Sequence, residues 1–154
     1  MEIFTLIIAA LALLASAFSI YESRKNNRIS STPFLMGQEF THLTSYEYWI
    51  ANKGKGVAVF DSVEYFYKNE QCKYDDLKES VEGALKKHGV SHQLTSTRLG
   101  DKIVMDAGER ILIARILFPE TEAVKFQEAL DVDMNIRIKY HSSHGEMKVF
   151  NTND

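Results

Sequence analysis

With a single cysteine, Cys72, this chain of 154 residues cannot close an internal disulfide, which suits a reducing compartment and leaves the fold to rest on buried apolar surface. Only two prolines occur, Pro33 and Pro119, and no low-complexity tract interrupts the sequence. Positive charge is slightly outnumbered by negative: the net charge is -3, so no overall basic field advertises nucleic acid or lipid headgroups, and any anionic partner has to be held by a local cluster. Missing too are a Walker loop, a dinucleotide fingerprint, a zinc pair and a nucleophile elbow. No acid, base and nucleophile set can be assembled, so the expectation is a protein that is not an enzyme and needs no cofactor.

What is present begins with an apolar N-terminus. As a helix, the uncharged run from Ile3 to Ile20 rises about 27 Å against a hydrocarbon layer of roughly 30 Å. Glu2 is the only charged side chain before it, while Arg24, Lys25 and Arg28 follow, an order that points the C-terminal bulk into the cytoplasm. Ala15-Ser16-Ala17 has the small residues of a signal-peptide cleavage site, but the missing basic stretch ahead of the run favours an anchor. The division expected is a transmembrane helix over 1–22, a basic juxtamembrane hinge over 23–32 and one cytoplasmic ligand-binding domain over 33–154, at the cell inner membrane. Within the anchor, Thr5, Ala9, Ala12, Ser16 and Ser19 step by four and three along one helix face. Such a stripe lets helix backbones approach closely in a bilayer, so it is a candidate surface for homo-oligomerisation.

After the hinge, "TSYEYWIANKGKGVAVFDSVEYFYKNEQ" supplies β-branched and aromatic runs around the turn "NKGKG" and reads as strands. "YDDLKESVEGALKKHG" has Leu77, Val81, Ala84 and Leu85 on one face, acids in its first turn, lysines in its last and Gly89 as a stop, which predicts an amphipathic helix. "HQLTSTRL", "KIVMDA" and "RILIARILF" read as further strands, the last apolar enough to be central. "ETEAVKFQEALD" predicts a short second helix, and "MNIRIKYH" with "EMKVFN" a closing hairpin across "SSHG". The fold class expected is therefore α+β: the transmembrane helix, then a mainly antiparallel β-sandwich or sheet with two helices.

Two stretches offer anion binding. Strict alternation in "MNIRIKYH" sends Ile136, Ile138 and Tyr140 to one face and Arg137, Lys139 and His141 to the other, with the three donors about 7 Å apart along a strand. In Asn52-Lys53-Gly54-Lys55-Gly56 the glycines allow backbone N–H groups to converge, Lys53 and Lys55 add charge, and Trp49 stands just upstream as a stacking aromatic. The plainer readings are a solvated outer strand face and a hairpin turn with solubilising lysines. Metal binding is not expected. Gly89 separates His88 from His92, and His141 and His144 flank a turn with no third ligand near.

From Arg28 to Asp61, "RISSTPFL" and "IANKGKGVAVFD" behind an N-terminal helix resemble a widespread set of small bacterial single-pass proteins with an Asn-x-Gly-x-Gly-like turn. By layout, the chain also resembles the membrane-anchored effector of type III CRISPR systems that senses cyclic tetra-adenylate. That resemblance implies a cytoplasmic domain that binds a cyclic oligonucleotide in antiviral defence and acts on the lipid bilayer through its own helix. It carries no motif that can be laid residue by residue on this chain. A symmetric homo-oligomer, a tetramer for a four-fold ligand, would meet the repeated phosphates with one Arg, one Lys and one aromatic per subunit. The rival expectation is a non-catalytic structural or interaction protein that docks a membrane partner.

Overall fold

The computed structural model describes residues 2–129 and 134–152; for 2–10 and 28–30 it describes the backbone. Helix α1 spans Glu2–Ser30. Then come β1 (Leu35–Thr41), β2 (Ser45–Asn52), β3 (Ala58–Tyr67), β4 (Glu70–Cys72), α2 (Tyr74–Lys87), β5 (Gln93–Ser96), β6 (Val104–Met105), β7 (Arg110–Leu117), α3 (Ala123–Ala129), β8 (Met134–Ser142) and β9 (Met147–Asn151). All strand pairs are antiparallel. One sheet runs β1-β2-β7-β5 and the other β4-β3-β8-β9, with β6 added against β3.

The period-two pattern decides what each sheet buries. Leu35, Ile50 and Ile113 from the first sheet meet Phe60, Tyr65, Ile136, Ile138 and Tyr140 from the second, and Leu77 of α2 joins the same core. β7 lies between β2 and β5, as its apolar run requires. A second cluster joins Leu85 and Val90 to Ile116, Phe118, Phe126 and Ala129. There the Phe118 and Phe126 rings stack with centroids 4.0 Å apart.

Helix α2 starts and stops where its sequence says. The Asp76 carboxylate accepts from the Lys73 N–H at 3.3 Å, and Gly89 at φ +68° turns the chain so that the Val90 N–H returns to the Leu85 carbonyl. Gly83, inside this helix, has open space where a Cβ would stand. The predicted strands "HQLTSTRL" and "KIVMDA" shrink to Gln93–Ser96 and Val104–Met105. The predicted second helix opens as a 3-10 turn over Glu120–Glu122 before α3, and its last residues, Leu130 and Asp131, lie outside the described residues.

The transmembrane helix expected at the N-terminus is corrected: among the described residues, no helix is long and apolar enough to cross a membrane. The apolar side chains described in α1 run from Leu11 to Ile20, about 15 Å of helix, half of a roughly 30 Å layer. Glu22, Arg24 and Lys25 follow on the same helix. The side chains of Ile3–Ala10, on which the expected span also drew, lie outside the described residues. The segment 23–32, read as a hinge, is helical as far as Ser30, and the chain leaves the helix axis at Ser31.

Candidate functional site

Strand β8 presents its row as the alternation requires. Ile136, Ile138 and Tyr140 are buried, while Arg137 and His141 are half-buried and Lys139 exposed on the opposite face. What the local sequence does not contain is the neighbouring strand. β3 places Glu64 opposite Arg137 and leaves Asp61 at a register shift between Phe60 and Ser62. Glu64 takes both cations, Lys139 Nζ at 3.0 Å and Arg137 Nη1 at 3.6 Å. The Arg137 guanidinium also lies over the Phe66 ring, 4.8 Å from its centroid, and its Nε donates to Asn151 Oδ1 at 3.1 Å. His141 Nδ1 is 2.8 Å from Asp61 Oδ1. The donors thus form a row in which each has a carboxylate beside it.

The turn "NKGKG" is built for a different neighbour from the one its glycines and lysines suggested. Its Lys53 and Lys55 N–H groups donate to the Phe34 and Thr32 carbonyls at 2.7 and 3.2 Å, so they serve the segment Ser31–Leu35 that leaves α1. That segment is a strap lying directly on the turn. A Cβ on Gly56 would land on the Ser31 carbonyl, and one on Gly54 would meet the backbone of Thr32, Pro33 and Phe34. Glycine is required here by close approach.

Asn52, fully buried, holds strap and turn together. Its Oδ1 accepts from the Phe34 and Gly54 N–H groups, each at 3.1 Å. Its Nδ2 donates toward the carbonyls of Gly56 at 2.7 Å, Met105 at 3.1 Å and Asp106 at 3.2 Å. One carboxamide therefore satisfies backbone groups from the strap, the turn and the end of β6, the accounting a buried polar side chain demands. The far end of the strap has its own contacts: the Ser31 hydroxyl is 2.9 Å from His144 Nε2, and Lys148 Nζ donates to the Pro33 carbonyl at 3.4 Å.

Trp49 points from the outer face of the first sheet, away from the β8 row on the other sheet. Its indole N–H donates to Glu47 Oε2 at 2.8 Å, the Arg110 guanidinium stands 5.4 Å from its ring centroid, and Arg115 Nε donates to Glu47 Oε1 at 2.8 Å. The indole hydrogen bond, followed by that from Arg115, outweighs desolvation and lowers the Glu47 carboxyl below its usual range. The structure therefore does not bring Trp49 together with Arg137, Lys139 and His141, and the backbone of the Lys53–Lys55 turn is taken up by the strap. On α1, Ala12, Ser16 and Ser19 are exposed, and the Ser16 hydroxyl donates back to the Ala12 carbonyl at 2.8 Å. The side chains of Thr5, Ala9 and Arg28 lie outside the described residues. No cluster of three His, Cys, Asp or Glu side chains suited to a metal occurs among the described residues.

Sequence reading missed a cavity of about 280 Å³ between the sheets and under α2, walled by Tyr46, Tyr48, Tyr65 and Tyr74. Burial pushes the Tyr48 phenol up to about 12 and raises that of Tyr46 further, with the Glu39 carboxylate adding to both. Tyrosines at alternate positions of an inward strand face, 46 and 48, were the available signal. Comparison with protein families, with characterised proteins and with solved structures finds no match for this chain.

Proposed function

We propose that this chain is a non-catalytic binding domain, held at a lipid bilayer by the apolar surface of α1 and coupled to that helix through the strap. The observation that carries the reading is the exposure of α1. Leu11, Leu13, Leu14, Phe18, Ile20 and Tyr21 are 56–73 % exposed, and at about 3.6 residues per turn they share one half of the helix, opposite Ala12, Ser16 and Ser19. A helix with one exposed apolar half lays that half into the boundary between headgroups and acyl chains of a bilayer. The proposed contact concerns Leu11–Tyr21 and assigns no crossing.

Flotation of the purified full chain with phosphatidylcholine–phosphatidylglycerol vesicles tests this reading. Most of the protein should rise with the lipid. Leu13→Glu combined with Phe18→Glu should leave it at the bottom, since burying one such side chain contributes about 1.5–3 kcal/mol. Equal flotation of both proteins, or of neither, contradicts the reading.

Self-association of α1 along Ala12, Ser16 and Ser19 remains compatible with this proposal. The cyclic oligoadenylate sensor in antiviral defence rests on the resemblance alone. To hold phosphates on the β8 face, the ligand would have to replace Glu64 and Asp61 as partners of Arg137, Lys139 and His141. Geometry therefore favours the interaction protein. Calorimetry of the full chain with cyclic tetra-adenylate should show no saturable heat at micromolar concentration. Saturable binding that Arg137→Ala weakens tenfold would restore the sensor.

A further inference from the structure

We propose that the cavity between the two sheets is the binding site for a small, uncharged, largely apolar molecule of one or two rings. The space has a specific origin in the backbone. β2 and β7 pair Tyr48 with Ala114 and Trp49 with Leu112, so Ile113 is an extra residue in β7. This bulge turns both Ile113 and Ala114 inward, where an unbroken strand would send one of them out. Ala114 is the smaller by far and leaves the floor open. At about 280 Å³ this half-open pocket lies just below the usual size of ligand pockets, roughly 300–1,000 Å³, which suits a small occupant.

The walls specify the chemistry. Their aromatic surface comes from four tyrosines whose hydroxyls are already engaged or sealed off. Tyr65 donates to the Leu99 carbonyl at 3.1 Å and accepts the Leu99 N–H at 3.0 Å. Tyr74 donates to Ser96 Oγ at 2.7 Å, and the Tyr46 hydroxyl faces Glu39. The Tyr48 hydroxyl is buried under Gly37, where a Cβ would strike it, and no partner for it occurs among the described residues. An occupant therefore meets ring faces together with Leu77, Val81, Leu94 and Ile116, and finds few free donors. Among the described residues, Glu39 and Lys78 are the charged ones of the lining; being of opposite sign, they give no net preference for an ion. Hydrogen-bonding molecules such as nucleosides or sugars would lose their water here without replacement.

The test is a titration of the full chain with the fluorescent probe N-phenyl-1-naphthylamine. One saturable site is expected, and naphthalene should displace the probe at least tenfold better than 2-naphthoate. Ala114→Phe fills the cavity from β7 and Val81→Phe from α2, and each should weaken probe binding at least tenfold. Absence of a saturable signal overturns the proposal, as does unchanged affinity in whichever variants fold by circular dichroism. Equal displacement by naphthoate overturns the uncharged character of the ligand. If neither variant folds, the displacement ratio decides.

Discussion

Replacing Asn52 by alanine is expected to destabilise the domain by about 3 to 4 kcal/mol, in the upper tail of single substitutions. The substitution strands the Phe34 and Gly54 N–H groups and removes the donor shared by the Gly56, Met105 and Asp106 carbonyls. Each buried group left without a partner costs about 1–3 kcal/mol, partly recovered where water reaches the strap. Asn52→Asp separates the two halves of this network. It keeps the acceptors but faces a carboxylate toward carbonyl oxygens in a buried site, which raises its folded pKa above the unfolded value. The linkage sign then makes Asn52→Asp less damaging in acid and progressively worse as the pH rises through the unfolded and then the folded pKa. Chemical denaturation of both variants between pH 4 and 8 measures the difference; an Asn52→Ala protein within about 1 kcal/mol of wild type would contradict the network.

Gly56→Ala is expected to cost about 3 kcal/mol, the range of overpacking against atoms that cannot swing aside. The Cβ would fall on the Ser31 carbonyl, a backbone atom, so the whole strap would have to lift and with it the Thr32 and Phe34 carbonyls that the turn donates to. Gly83→Ala is the matched control. It has open space and lies within α2, so it should stabilise by about 0.5–1 kcal/mol through helix propensity. If the two alanines have the same effect on the denaturation midpoint, close approach is not what the turn glycine serves.

These two sites mark the boundary of what the sequence could disclose. Local rules were legible: the caps of α2, the inward set Ile136, Ile138 and Tyr140, the central position of β7 and the closing hairpin all follow from periodicities of 3.6 or 2 and from glycine placement. The partners of those elements were not. Arg137 and Lys139 looked like free cations because Glu64, which neutralises them, arrives through the pairing of β3 with β8 across distant sequence. The glycines of the "NKGKG" turn read equally well as an anion nest or as room for another backbone, and only the path of Ser31–Leu35 distinguishes these. The bulge that opens the cavity is a difference of register between β2 and β7, invisible in either strand alone. At the N-terminus, hydropathy read a membrane span, whereas among the described residues no helix is long and apolar enough to cross a membrane, and α1 continues without a break into a charged helical end.

Coupling of α1 to the sandwich through the strap is the central claim, and amide hydrogen exchange of the purified full chain tests it most directly. The Phe34, Lys53, Gly54 and Lys55 amides all donate within this junction. Peptides covering 31–35 and 53–56 should therefore exchange nearly as slowly as those from β7 and β8. In Asn52→Ala their protection should fall by more than that of the two strands. Exchange of the wild-type strap as fast as the exposed loop at Leu43 and Thr44 would show that α1 is joined to the domain by a free linker, and would contradict the account.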